Sequence, residues 1–166
     1  MKTALKTSVI LSWINLVASC GCVLLGLIGT LIVGPQIGFI AVVLFGAIAL
    51  HSYESLRLRN CIVYNAPMDK KTPLSLQVMG FISMFFSFVT VTNGFTLLRH
   101  AKETAQENRK MLVEQFKGYE QVNLELMYQL MAVGMIVFGL AILVNVLMSM
   151  SLLRWYKSQN ENQNPE

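Results

Sequence analysis

The residues of this chain that could do chemistry are few, and they form no catalytic motif. Its imidazoles and thiols are His51, His100, Cys20, Cys22 and Cys61. A haem between helices needs two histidines at one depth, a membrane zinc protease needs the pattern HExxH, and a thiol oxidoreductase needs a reactive cysteine pair near a surface. None of these patterns occurs in the sequence, which therefore predicts no enzyme and neither a cofactor nor a metal site.

The pair His51 and Glu54 comes closest to a reactive site. The two residues are three apart, so on a helix they share a face and could form a pH-sensitive pair. Because they follow an apolar run, we expect them to cap a helix at the membrane surface.

The three cysteines suggest packing rather than reaction. Cys20 and Cys22 point about 200° apart on a helix, and an odd number of cysteines is expected to stay reduced. Residues 17–20 also look like a lipoprotein signal in which Cys20 would be lipidated. The uninterrupted apolar sequence beyond Cys20 favours an uncleaved helix instead.

Three amides lie within apolar sequence: Asn15, Asn93 and Asn145. An amide without a partner in hydrocarbon is costly, so each is predicted to be buried against another helix. Asn15 and Asn145 lie at similar distances from the same membrane edge, so they can pair with each other. Asn93 lies near the opposite edge and cannot reach them. The functional alternative is a polar spot in a pore or a ligand cavity.

Two stripes of small residues predict close helix packing. The first, which repeats every four residues, is Ala18, Cys22, Gly26, Thr30 and Gly34. The second, which alternates steps of three and four, is Gly80, Ser83, Ser87, Thr90 and Gly94. Small side chains let helix backbones approach in lipid, and the two spacings favour right-handed and left-handed crossings respectively. Each stripe could pack within one subunit or between subunits.

The elements that must position these residues are four long uncharged segments. The chain has 166 residues, of which 54% are hydrophobic and 13% charged, whereas a soluble protein has about 25% charged residues. The predicted transmembrane helices cover about 8–33, 37–53, 76–98 and 127–153, and each is long enough to cross a bilayer. The sequence therefore predicts a single all-α transmembrane domain over residues 1–166, built as two antiparallel hairpins.

The distribution of lysine and arginine predicts the orientation of these helices. The formal net charge is +4, and the basic excess lies at the amino terminus, in the loop 54–75 and in the tail 154–166. These three regions are predicted to be cytoplasmic, which places a multi-pass protein in the inner (plasma) membrane of a bacterium. The basic residues of the loop form a predicted inner contact for anionic lipid or a cytoplasmic protein rather than for nucleic acid: Arg57, Arg59, Lys70 and Lys71.

The neutral loop 99–126 is the largest predicted soluble element. It contains no proline and many good helix formers, so we expect the third and fourth spans to continue outside the membrane as helices, or to flank an amphipathic helix that lies at the membrane surface. One apolar stripe runs along it: Leu112, Phe116, Tyr119, Val122 and Leu126. The stripe is either an outer contact surface for a partner or a cover for the end of the bundle itself.

The sequence favours a non-enzymatic membrane protein that acts by helix–helix association. It would serve as a homo-oligomeric sensor, signalling or defence-type component, or as an accessory subunit of a larger complex. The alternative is an oligomeric channel lined by the polar side of the third span. A membrane immunity protein against a pore-forming toxin is a further alternative, because such proteins are similar in layout, with four crossings and both ends inside. A shared layout implies little about activity.

Overall fold

A computed structural model describes residues 2–32, 35–64, 66–115 and 123–163, and all regular structure in these ranges is helical. The four helices are α1 (Lys2–Ile32), α2 (Pro35–Tyr64), α3 (Thr72–Gln115) and α4 (Leu124–Gln163). Each contains a segment long and apolar enough to cross a membrane. The chain is therefore an all-α, four-helix membrane protein, as its uncharged segments predict.

All four helices run past the predicted spans. α1 begins at Lys2 rather than near residue 8. α2 continues through Tyr64 into the region predicted as a loop, because residues 54–64 contain no glycine or proline that would end a helix. α3 extends to Gln115, into the region where a helical extension is predicted. α4 begins at Leu124, shortly before its predicted span, and continues to Gln163 in the predicted polar tail. The backbone of α3 departs from helical geometry at His100 (φ −106°, ψ 15°), directly after the apolar part of the helix.

The described residues pack as two units, Met1–Phe86 with Ala141–Glu166, and Ser87–Leu140. We call them unit 1 and unit 2. In unit 1 the beginnings of α1 and α3 meet the ends of α2 and α4, and we call this the terminal end of unit 1. An apolar cluster closes it: Leu58, Leu76, Leu152 and Leu153, with Leu5, Ile62 and Tyr156 among the residues packed around them.

The hairpin of α1 and α2 is held by very close backbone contact. A Cβ atom built at Gly38 would lie 2.7 Å from the carbonyl oxygen of Gly26 and 2.9 Å from the amide nitrogen of Thr30. One built at Gly26 would lie 3.3 Å from Cβ of Ala41. Gly26 and Thr30 of the first small-residue stripe therefore pack against α2 of the same chain. The last member of the stripe, Gly34, lies outside the described residues.

Unit 2 consists of the second part of α3 and the first part of α4. Ser87 Oγ donates a hydrogen bond to the carbonyl oxygen of Gly139 at 2.7 Å, and a Cβ at Gly94 would lie 2.7 Å from Cγ1 of Ile136. Asn123 caps α4, since its Oδ1 accepts a hydrogen bond from the amide of Leu126 at 3.1 Å. Glycine and capping geometry thus fix where these helices approach and where α4 begins.

Candidate functional site

The interior of unit 1 is polar. On α1, four residues that are at most 1% exposed follow a 4-3-4 spacing, which places them on one helix face: Ser8, Ser12, Asn15 and Ser19. The other helices add further residues at most 1% exposed: His51, Ser52, Ser55, Ser83, Asn145 and Ser149. We call these ten residues the polar seam. Except for Ser83, the serines of the seam were not among the predicted site residues, although the heptad spacing on α1 was a signal that could have found those on that helix.

One part of the polar seam forms a hydrogen-bond network across three helices. Ser12 Oγ lies 3.0 Å from Ser55 Oγ and 2.9 Å from Asn145 Oδ1. Ser55 Oγ lies 2.7 Å from Ser149 Oγ, and Ser149 Oγ donates to the carbonyl oxygen of Asn145 at 2.7 Å. These contacts join α1, α2 and α4 at one depth. Three hydroxyl protons serve four oxygen–oxygen contacts, so the serines alone cannot supply a proton to every contact.

Asn15 and Asn145 do not pair with each other within the chain, contrary to the prediction. Asn15 Nδ2 instead donates to the carbonyl oxygen of Ala141 at 3.3 Å, while Asn145 accepts from Ser12. The antiparallel register of α1 and α4 explains this, because it places Asn15 one turn away from Asn145. Both amides are nevertheless buried and each joins α1 to α4.

The prediction that Asn93 is buried is also wrong, because its side chain is exposed. The residue that faces α4 is its neighbour Gly94. Adjacent residues on a helix point about 100° apart, so the close contact at Gly94 turns Asn93 away from the packed face.

We expect Asn145→Leu to lower the free energy of unfolding by about 1–2 kcal/mol, the range of interhelical hydrogen bonds in membranes. The change removes the acceptor of the Ser12 hydroxyl without altering side-chain volume greatly. Reversible unfolding in bicelles would measure it. Asn93→Leu makes the same substitution at an exposed position and should change the unfolding free energy by less than half as much. Equal losses from the two variants would contradict the role assigned to the network.

His51 is buried within unit 1, with only 1% of it exposed. Its Nδ1 lies 3.3 Å from the carbonyl oxygen of Leu76. A carbonyl can only accept, so Nδ1 carries the proton and Nε2 presents a lone pair in the neutral ring. A Cβ at Gly80 would lie 3.1 Å from Nδ1, so this glycine makes room for the imidazole. Glu54 turns to Arg57 instead, at 4.0 Å.

The second small-residue stripe also packs within the chain, in both units. Gly80 lies against His51 and Met150, and Gly94 lies against Ile136. Ser87 donates to Gly139. Ser83 is 0% and Thr90 8% exposed. The residues predicted from their size are therefore contact residues between helices of one chain.

The described residues include only part of the predicted inner and outer contact surfaces. On the inner contact, Arg57 pairs with Asp69 at 3.3 Å, Arg59 is half-buried, and Lys70 and Lys71 are exposed. On the outer contact, Leu126 is 50% exposed. Phe116, Tyr119, Val122 and the side chain of Leu112 lie outside the described residues.

The turn that carries Lys70 and Lys71 is organised by Asp69. The amide of Lys71 donates to Asp69 Oδ1 at 3.1 Å. This hydrogen bond, more than the nearby Arg57 guanidinium, lowers the pKa of Asp69 below its ordinary value. A depressed carboxyl pKa stabilises the turn above about pH 4, and the contribution is lost as pH falls through the folded-state pKa.

We expect NMR titration of the Asp69 carboxyl carbon to give a midpoint below the unperturbed value near pH 4. Asp69 is the only aspartate in the sequence, so selective labelling yields one signal. Because the backbone hydrogen bond is the largest cause, Arg57→Gln should raise the midpoint only slightly. A midpoint at the unperturbed value in both proteins would rule out this turn geometry.

The remaining candidates carry no reactive arrangement. The three cysteines are free, with Cys20 exposed, Cys22 half-buried and Cys61 buried. Among the described residues, no group of three or more His, Cys, Asp or Glu side chains is placed to hold a metal ion.

Unit 2 has an open cavity of about 160 Å³ whose lining includes Lys102, Gln106 and Arg109.

In comparisons with known proteins, no protein-family model, curated protein or solved structure matches the chain.

Proposed function

We propose that this chain is a non-enzymatic multi-pass membrane protein that acts by association with a second copy of itself. In this role it would be a membrane sensor, signalling or defence-type component, or an accessory subunit of a larger complex. The observation that carries the proposal is the outer face of α1, which lies opposite its polar face.

The outer face of α1 has the pattern of a helix-pairing seam. Its apolar residues follow a 4-3-4-3-4 spacing, which keeps them on one side of a helix: Ile10, Ile14, Val17, Gly21, Leu24 and Ile28. The five large residues are 52–65% exposed in the single chain. A heptad of this kind suits left-handed, nearly parallel packing against another helix.

Gly21 stands in the middle of this seam and has space around it. No described atom lies within 4 Å of a Cβ built at Gly21. The stripes at Gly26 and Gly94, in contrast, are occupied by α2 and α4 of the same chain. The outer face of α1 is therefore a surface on which a neighbouring helix could approach closely without displacing a helix of the chain itself.

We expect Gly21→Leu to weaken self-association at least about tenfold, because a large side chain in the seam forces the two helices apart. Single-molecule photobleaching in lipid vesicles, across a range of protein-to-lipid ratios, gives the monomer fraction. Gly29→Leu is the matched control. It has the same open space but points away from the seam, so its monomer fraction should equal that of the parent protein.

Two results would count against self-association. A parent protein that is monomeric at every protein-to-lipid ratio would leave only association with a different membrane protein. An equal effect of Gly21→Leu and Gly29→Leu would mean that the heptad seam is not the contact surface.

The channel alternative has less support from the positions of the α3 side chains. A pore between subunits, lined by the polar side of α3, needs these side chains on the outer surface. Ser83, Ser87 and Thr90 are instead buried within the chain, and Asn93 points to a different side. Conductance of purified protein in planar bilayers, abolished by Ser87→Val, would favour the channel.

For the orientation, we propose that the terminal end of unit 1 faces the cytoplasm of a bacterial cell, as the positions of lysine and arginine indicate. Lys70 and Lys71, both exposed, would then contact anionic lipid or a cytoplasmic protein. The helical extensions of α3 and α4 would form the outer contact. α3 is the helix that joins the two predicted loops along the chain, so it would couple them.

A further inference from the structure

Five buried polar atoms of the polar seam have no hydrogen-bond partner among the described residues. They come from three helices: Asn15 Oδ1, Ser19 Oγ, His51 Nε2, Ser52 Oγ and Ser83 Oγ. Unit 1 holds three more such atoms outside the polar seam: Glu54 Oε2, Arg59 Nε and Thr72 Oγ1. A buried polar atom without a partner costs about 1–3 kcal/mol, so the five in the polar seam call for a physical explanation. Water or a bound ligand is the usual one.

The observed contacts place these atoms at neighbouring depths. The contacts between Ser12 and Ser55 and between Gly26 and Ala41 set an antiparallel register that brings Asn15 level with Ser52. Ser19 follows Asn15 by one turn. The five atoms therefore lie one to two turns from the serine network, on the side away from the terminal end.

α3 joins this region through its contact with α2. His51 contacts both Leu76 and Gly80, and Ser83 follows Gly80 by three residues on the same face. Fully buried apolar side chains pack around the region. Leu58 and Leu153 lie toward the terminal end, and Ile142 and Ile48 lie level with Asn15 and Ser19, each at most 2% exposed. The polar residues are themselves at most 1% exposed, so they are enclosed within unit 1.

The chemistry of these atoms defines what can bind. Asn15 Oδ1 and the lone pair on His51 Nε2 can only accept hydrogen bonds, while the three hydroxyls can donate or accept. None of the five groups carries a charge when the imidazole is neutral. Enclosing an ion among neutral groups in a membrane is costly, so a fitting occupant is uncharged and donates at least two hydrogen bonds.

We propose that the polar seam is a binding site for a small uncharged hydrogen-bond donor, and that water fills it in the protein at rest. One water can donate to Asn15 or His51 while it accepts from a serine, and buried waters commonly make about three such bonds. The serine network has four contacts and three protons, so it also gains from an added donor. This site does not depend on the proposed self-association.

The test uses the full chain in lipid vesicles, with ¹⁵N-labelled histidine and His100→Asn so that His51 is the only imidazole. Water-edited solid-state NMR measures how fast magnetisation passes from water protons to each ring nitrogen. We expect a protonated Nδ1, an unprotonated Nε2 and rapid transfer from water to Nε2. Magnetisation transfer from water to His51 Nε2 that is as slow as transfer to the methyl groups of the buried apolar cluster around Leu58 would overturn the proposal.

Variants without the serine hydroxyls distinguish water bound at this site from general hydration of the bundle. The double variant Ser52→Ala with Ser83→Ala should slow transfer to His51 several-fold. Ser151→Ala, at an exposed serine of α4, should leave it unchanged. Equal transfer in all three proteins would show that water at His51 is not held by the seam. Circular dichroism confirms that each variant is folded.

The charge of the occupant is tested by thermal unfolding in sodium chloride, potassium chloride and choline chloride at equal concentration. We expect equal unfolding temperatures in the three salts. A higher temperature in sodium or potassium chloride that disappears in Ser52→Ala with Ser83→Ala would overturn the uncharged site and assign the seam to a cation.

Discussion

Gly38→Ala should destabilise the protein by about 3 kcal/mol, near the upper end of the cost of overpacking. The added Cβ would lie almost on the methyl group of Thr30 and within 3 Å of two backbone atoms, the Gly26 oxygen and the Thr30 nitrogen. A side chain can rotate away, but these backbone atoms belong to a regular helix. α1 and α2 must therefore move apart, which loosens the contacts along the hairpin.

The measurement is reversible unfolding in bicelles, with Gly46→Ala as the control. Gly46 is on the same helix, and no described atom lies within 4 Å of its added Cβ. That change should stabilise the protein by up to about 1 kcal/mol through helix propensity alone. Thr30→Ala should recover only part of the loss at Gly38, because it removes the methyl group and leaves the backbone contacts. A Gly38→Ala protein as stable as Gly46→Ala would refute the close approach.

Gly94→Leu should have an effect of similar size in unit 2. A Cβ at this position would lie 2.7 Å from Cγ1 of Ile136, 3.0 Å from the Ala132 oxygen and 3.2 Å from the Ile136 nitrogen. The larger leucine side chain extends further into α4. We expect the unfolding free energy to fall by about 3 kcal/mol and the hydrogen bond between Ser87 and Gly139 to weaken.

The control for this second substitution is Gly134→Leu on α4, where no described atom lies within 4 Å of an added Cβ. It should leave the unfolding free energy unchanged or raise it by up to about 1 kcal/mol, because leucine favours a helix more than glycine does. The alternative for Gly94 was packing between subunits. A Gly94→Leu protein of unchanged stability but smaller oligomeric size would support that alternative against the packing described here.

The helices could be predicted from the sequence because lipid imposes a strict condition. A segment that crosses it must be long, apolar and hydrogen-bonded within itself, and four such segments are visible. Their ends were harder to predict. Hydropathy marks where α2 leaves the apolar region near Tyr53, whereas helix propensity carries the helix on to Tyr64.

The partner of each packing residue could not be predicted in the same way. The rotation of each helix about its axis decides whether Asn15 meets Ala141 or Asn145. It also decides whether Asn93 or Gly94 lies on the buried face. Depth and loop length leave that rotation open. The serines were missed because serine is close to neutral in hydropathy, so Ser12 and Ser55 do not interrupt an apolar segment in the way a charge does.

The far-apart partners of α1 also constrain how the protein is made. Ser12 and Asn15 find their acceptors in Asn145 and Ala141, 133 and 126 residues later in the chain. During synthesis α1 leaves the ribosome first and α4 last, so until the final helix enters the bilayer Ser12 has only Ser55 as a partner and Asn15 lacks its acceptor. A nascent chain that stops before residue 141 is left with an unpaired amide in lipid, the kind of defect that membrane proteases and insertion factors can detect.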